Sequence, residues 1–286
     1  MVSLNPGSSV TLRVARESSF GYFLTNETED VLLHQSEITS PIEVDQDVEV
    51  FLYTDKQGRT AATMVIPEIE VGKYSWCEVV ESVEDLGVFI DIGISKDILI
   101  HKDDLPKLEE VWPTKGCRLY CTLKVDNQGG LLGKLATENI MSELFKIADR
   151  SAFNKNVTGT VYRTLHSGTF IITEEGYRGF IHESQRMREP RVGSEVQGRI
   201  IDVKEDGTVN VSLLKRGHEA LDQDAEEIYA YLVKRGGSMP YTDKSQPDDI
   251  QRRFNMSKAA FKRSIGRLMK EGKVYQKDGW TYIKEN

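Results

Sequence analysis

Three times along the chain a glycine is followed two residues later by phenylalanine and then, at nearly constant distance, by histidine. The copies are Gly21 and Phe23 with His34, Gly87 and Phe89 with His101, and Gly168 and Phe170 with His182, so Gly and His stand 13, 14 and 14 residues apart. Three of the five histidines fall in this one place. Flat aromatic and imidazole rings on a sheet face are surfaces on which unpaired bases stack, so the chemistry open to this set is the binding of single-stranded nucleic acid. In a single copy the same Phe equally fits a core, and the same His equally fits a structural or merely exposed strand end. Recurrence in three copies is what favours a binding surface.

Catalytic constellations do not stand beside these rings. Two-metal hydrolysis needs clustered carboxylates, and the acids here are scattered over the loops of the repeats. No Walker loop, HExxH, GxSxG or kinase-like set occurs, so neither a catalyst nor a metal or cofactor is expected. Cys77, Cys117 and Cys121 lack four-ligand spacing, which predicts buried free thiols rather than zinc or a disulfide.

The elements that must hold the rings repeat as well. Upstream of each glycine lies an alternating run, Val10 to Val14, Glu78 to Val83 and Val157 to Val161, the period of a half-buried strand. The Gly-x-Phe strand and a strand ending at His follow, and two further strands come after a loop. In the first copy those last strands turn at Asp55-Lys56-Gln57-Gly58, and in the third at Lys204-Glu205-Asp206-Gly207, an acidic-Gly hairpin signal. Five short strands per repeat predict a small Greek-key barrel.

At these residues each repeat resembles an S1 domain, an OB-fold module. The third copy carries Gly159-Thr160-Val161, Ser167-Gly168-Thr169-Phe170, Gly179-Phe180-Ile181-His182-Glu183-Ser184 and Val211-Ser212-Leu213 in the family style. The resemblance implies RNA-facing positions at two aromatics on the second strand, the His ending the third, and an Asp and an Arg around the last hairpin. Copy one then offers Phe20, Phe23, His34, Asp55 and Arg59. Copy two has Leu86 for the first aromatic and Gly130 for the Arg, and keeps Phe89, His101 and Asp126. Copy three has Ser167 at the first aromatic and lacks the Asp and Arg, keeping Phe170 and His182.

The net charge of -8 is unevenly spread. Residues 1–150 hold 14 Lys and Arg against 26 Asp and Glu, residues 151–216 hold 10 against 8, and residues 222–286 hold 13 against 10. Phosphate attraction supplies most non-specific affinity, so the grip on nucleic acid is expected in the C-terminal half. The acidic first half fits spacing, repulsion of duplex, or docking of another protein. With no apolar run long enough to span a bilayer and no signal-peptide pattern at the start, a cytoplasmic chain without a membrane partner is expected.

Ile140, Leu144, Ile147 and Ala148 behind Thr137 predict an amphipathic helix packed between the second and third barrels, with Lys215-Arg216-Gly217-His218 as a short break further on. The last 65 residues change period from 2 to 3.6. One helix carries Ala225, Ile228, Tyr229, Leu232 and Val233 and stops at Gly236-Gly237; a second runs from Asp248 to Phe254. Ser257 caps a third with Phe261, Ile265, Leu268 and Met269 on one stripe, and Lys273 to Gln276 and Trp280 to Ile283 form a hairpin. This order resembles a winged helix-turn-helix. On its third helix Arg263, Arg267 and Lys270 fall opposite the Phe261 stripe, flanked by Lys258 and Lys262, as a basic face able to hold phosphates.

The expected architecture is therefore multidomain and mostly β: three tandem S1-type OB-fold β-barrels at 1–67, 68–137 and 154–216, a helical linker at 138–153, and an α+β winged helix at 222–286. This order, with the tail Met256 to Val274, resembles the bacterial conserved virulence factor B family. That resemblance implies a regulator of gene expression that binds RNA, not a catalyst. The expected partner is single-stranded RNA, with the ribosome or RNA-processing machinery as a further candidate, and the expected state is a monomer. The competing classes are a DNA-binding transcription regulator led by the winged helix, a docking scaffold using the acidic barrels, and a nuclease-associated factor.

Overall fold

Alternating apolar residues such as Leu12 and Val14, or Val31 and Leu33, can bury one face only if the strands that carry them close on each other. In the computed structural model, which describes residues 3–214 and 217–284, they do so three times. The first barrel consists of β1 (Ser9–Ser18), β2 (Gly21–Thr25), β3 (Asp30–His34), β4 (Asp47–Thr54) and β5 (Thr60–Thr63). The second set is β6 (Ser75–Val83), β7 (Gly87–Asp91), β8 (Ile98–His101), β9 (Arg118–Val125) and β10 (Leu131–Leu135). The third is β11 (Asn156–Leu165), β12 (Gly168–Thr173), β13 (Arg178–His182), β14 (Glu195–Val203) and β15 (Val209–Ser212).

Barrels one and three close through a parallel seam, with Leu32 of β3 opposite Ala61 of β5 and Gly179 of β13 opposite Val209 of β15. The second set has the order β10-β9-β6-β7-β8, and among the described residues no ladder joins β8 to β10. Side chains close that seam instead. A Cβ on Gly133 of β10 would meet Ile100 Cγ1 at 2.7 Å and Ile90 Cδ1 at 3.2 Å, so only glycine permits the approach.

A five-stranded barrel alone has a marginal core. Here the cores join: Phe51, Tyr53 and Ala61 of barrel one and Val192 of barrel three lie in one buried cluster with Val79, Ile90, Ile100 and Leu123 of barrel two. Backbone bonds tie the same junctions, Val71 N–H to the Gly7 carbonyl at 2.8 Å and Arg118 N–H to the Gly193 carbonyl at 2.9 Å. Residues 1–213 accordingly form one compact unit, and residues 214–286 form another. Cys77, Cys117 and Cys121 are free and buried within the second barrel.

The amphipathic linker helix expected from Ile140 to Ala148 does not form in full. Helix α1 (Glu138–Ser142) is one turn and a half, and the Thr137 side chain makes no capping bond. Beyond it the backbone bonds to barrel three, Lys146 N–H to the Gly176 carbonyl (2.8 Å) and Ala148 N–H to the Gly207 carbonyl (3.1 Å), which competes with helix continuation. Ile147 is left exposed, while Ala148 and Ala152 enter the barrel-three core.

The second unit holds helices α2 (Gly217–Lys234), α3 (Pro247–Phe254) and α4 (Lys258–Lys270) and a sheet of β16 (Ser238–Met239), β18 (Trp280–Ile283) and β17 (Val274–Lys277) in that order. Of the break expected at Lys215 to His218, Lys215, Arg216 and the His218 side chain lie outside the described residues, and α2 already begins at Gly217. Gly236 and Gly237 end α2 with φ of 75° and 92°, and Gly237 N–H returns to the Leu232 carbonyl at 2.9 Å. Ile228, Leu232, Ile250, Phe254, Phe261, Ile265 and Leu268 make one core. Met269, expected on that stripe, is exposed.

Candidate nucleic-acid interface

The repeated glycine and histidine each answer to a local backbone demand. Gly21, Gly87 and Gly168 open their strands at φ of 143°, 143° and 156°, with the facing carbonyls of Leu33, Ile100 and Ile181 only 2.2, 2.1 and 2.5 Å from where a Cβ would stand. His34, His101 and His182 each cap a 3-10 turn. Their Nδ1 atoms accept backbone N–H bonds from Ser36 (3.2 Å), Asp103 (3.3 Å) and Ser184 (3.2 Å). In barrel two the Asp103 carboxylate also lies 3.1 Å from the His101 Nδ1. No backbone demand of this kind explains the repeated Phe. Phe23, Phe89 and Phe170 are half-buried on the outer faces of their barrels.

Register then fixes what surrounds each Phe. Every first strand carries a β-bulge, after which Arg16 faces Phe23, Glu81 faces Phe89 and Arg163 faces Phe170. On the other side Leu32, Leu99 and Phe180 are the opposite partners. Four residues before each His stand Asp30, Asp97 and Arg178. The flanking pair is thus Arg and Asp in barrel one, two acids in barrel two, and two arginines in barrel three.

In barrel one Phe20, 49% exposed, lies edge-on to Phe23 at 6.4 Å between centroids. The Arg16 guanidinium sits 4.1 Å over the Phe23 ring and pairs with Asp30, whose carboxyl that bond holds below its ordinary range. Asp55 and Arg59 do meet, at 2.8 and 3.0 Å through two guanidinium nitrogens. Burial pushes the Asp55 carboxyl up, but the bonds from Arg59 and Gln57 outweigh it and leave it below the usual value. Asp55 thereby holds its hairpin, as Asp126 does in barrel two by accepting Gln128 N–H at 2.8 Å and Gly130 N–H at 2.7 Å. In barrel three Lys204 occupies the corresponding turn position, its N–H bonded to the Thr208 carbonyl.

Barrel three brings together more rings than its motif contains. Phe145, Tyr162, Phe170, Phe180 and His182 follow one another at centroid spacings of 5.8, 6.2, 5.0 and 6.4 Å. Arg178 lies 4.7 Å over Phe170 and 5.9 Å over Phe145. Glu138, in the first turn of α1, accepts from Arg178 Nη2 at 2.7 Å, from the Tyr162 hydroxyl at 3.1 Å and from Arg163 Nη1 at 3.4 Å. Burial, countered in part by Arg178, pushes the Tyr162 phenol up to about 12, so it stays a neutral donor. Sequence reasoning passed over Phe145, Tyr162, Phe180 and Arg178. Phe180 was within reach, standing two before His182 in the strand alternation; Tyr162 is turned outward by the bulge, and Phe145 carries no sequence signal.

On the second unit, Lys262, Arg263 and Lys270 are exposed along α4 together with Gly266 and Met269, and Lys258 is half-buried. Arg267 departs from the expected basic face. It is half-buried beside Tyr229 of α2 and its Nε bonds Glu271 at 2.8 Å.

Comparison with known proteins accounts for nearly the whole chain. An S1 domain model matches residues 6–65, "CvfB first S1-like domain" residues 74–134, "Virulence regulatory factor CvfB, second domain" residues 141–215, and "CvfB-like winged helix domain" residues 226–283. Family-specific patterns therefore begin at the second barrel here. The protein YitL of Bacillus subtilis (strain 168) is 56% identical over 99% of this chain and 95% of its own length. Conserved virulence factor B of Staphylococcus epidermidis is 40% identical over 89% of each chain. A crystal structure of a multidomain protein with nucleic acid binding domains from Streptococcus pneumoniae TIGR4 superposes with a TM-score of 0.67 at 37% identity, covering 98% of this chain and 99% of that one. With S1 barrels and a winged helix in this order, and relatives of that name matched over most of both lengths, the chain belongs to the conserved virulence factor B family.

Proposed function

We propose that this protein binds single-stranded RNA, chiefly through the outer face of barrel three, and regulates gene expression after transcription without catalysing a reaction itself. The observation that carries this reading is the run from Phe145 to His182 beside Arg163 and Arg178. Rings in file can stack successive unpaired bases, whereas a duplex hides its base faces, and guanidinium groups between them supply the phosphate contacts. The basic α4 face of Lys262, Arg263 and Lys270 adds phosphate affinity without requiring a base sequence.

The test is a binding competition at matched salt among single-stranded RNA, single-stranded DNA and duplex DNA of equal length, using the full chain. RNA is expected to bind most tightly. Duplex binding as tight as RNA binding shifts the function to α4 and a transcription regulator. Absence of binding by all three leaves the docking scaffold.

A further inference from the structure

Resting on the reading of barrel three as the RNA platform, we propose that Phe145, Tyr162, Arg163 and Arg178 form an additional nucleotide subsite there, and that Glu138 occupies its phosphate position until RNA displaces it. The ligand is one nucleotide of a single strand, its base on the Tyr162 end of the ring file and its phosphate on the two guanidinium groups.

Three observations meet at this place. The ring file does not stop at the Phe of the repeat but continues through Tyr162, 6.2 Å from Phe170, to Phe145, 5.8 Å further. Two arginines on different strands converge there and share a single carboxylate, Glu138. Glu138 is the carboxylate that both guanidinium groups contact directly, with Asp206 near enough to feel Arg178 from outside the pair, and a phosphate that replaced Glu138 would meet the same fork of donors. A cleft lined by Asp104, Leu105, Ala136, Thr137, Tyr162 and Arg163 opens beside Glu138, and its other carboxylate, Asp104, is already paired with Lys124, so the displaced side chain has room there. Met141 anchors this short helix in the core, so displacement of Glu138 is a rotation of its partly exposed side chain rather than a shift of the helix. Barrel two cannot form such a subsite, because Glu81 and Asp97 stand where barrel three has Arg163 and Arg178.

The test compares Glu138→Gln with Glu143→Gln in the full chain, titrating a short fluorescent single-stranded RNA of mixed sequence. Gln keeps the shape of residue 138 and one accepting oxygen, while its amide nitrogen can only donate and the charge that competes with phosphate is removed. Affinity should rise roughly three- to tenfold in Glu138→Gln, as expected for freeing two partly exposed ion pairs. Glu143→Gln makes the same net charge change nearby and should give less than half that gain. An unchanged or weakened affinity in Glu138→Gln, or an equal rise in both variants, overturns the proposal. The gain should also vanish when Arg163→Gln and Arg178→Gln are present. Should Glu138→Gln fail to fold, Arg163→Gln alone decides: the salt slope of log affinity should fall in magnitude by about 0.7, and an unchanged slope overturns the subsite. Phe180→Leu separates the two readings. If it leaves affinity unaltered, the platform itself is wrong; if it weakens binding while Glu138→Gln behaves as wild type, only the subsite is.

Discussion

Barrels two and three share strand order, the bulge, the obligatory glycine and the capping histidine, yet their outer faces are opposite in character. Around Phe89 stand Glu81, Leu99 and Asp97; around Phe170 stand Arg163, Phe180 and Arg178. Outward positions on a strand carry little of the folding energy, so they can diverge while the inward positions hold the barrel. The comparison teaches that an S1 motif certifies the scaffold, and that the residues beside the motif decide what the scaffold binds. Barrel two presents phosphate with two carboxylates and is suited to packing, since it shares its core with both neighbours.

The largest expected effect tests the shared part. Gly168→Ala and Gly87→Ala should each destabilise the first unit by about 2 to 3 kcal/mol, because a Cβ at positive φ meets a facing carbonyl in both barrels. Thermal unfolding checks this, and a harmless alanine at either position would mean that the motif glycine is not structural.

Next comes the part that differs. Phe170→Leu should cost about 1 to 3 kcal/mol in single-stranded RNA binding, the range for a lost base stack, while Phe89→Leu should leave binding within experimental error. Equal losses in the two barrels would erase the distinction between them. Both variants need unaltered circular dichroism to count.

His101→Ala and His182→Ala should behave alike in stability, each losing a turn cap worth about 1 kcal/mol. Only His182→Ala should also weaken RNA binding, since His182 ends the ring file. The smallest effect is expected from rebuilding barrel two. Glu81→Arg with Asp97→Arg should tighten RNA binding by a few fold, at about 0.2 to 1 kcal/mol for each exposed charge, with a steeper dependence on salt. No change would show that the Phe89 face is out of reach of the strand.

Much of the fold was legible because its signals are local. Alternation marked the strands, Gly236-Gly237 the end of α2 and Ser257 the start of α4, where its hydroxyl accepts Ala260 N–H at 3.2 Å. The linker misled for the same reason: Ile140, Leu144 and Ala148 have helical spacing, but bonds to Gly176 and Gly207, distant in sequence, claim the backbone instead. Arg267 was placed by angle on an isolated helix, whereas in the fold it is half-buried and its guanidinium is turned to Glu271.

By itself the sequence determined three barrels and a winged helix, the spacing of glycine, phenylalanine and histidine, and the excess of acid in the first half. Those follow from periodicity, turn chemistry and charge, which neighbours in the chain suffice to define. Only the tertiary structure decided that barrel two has, among the described residues, an unpaired seam, that the barrels share a core, and that Phe145, Tyr162, Phe170, Phe180 and His182 stand in file with Glu138 bonded at Tyr162. These depend on strand register and on one bulged residue, and a shift of one position in a strand sends every side chain to the opposite face.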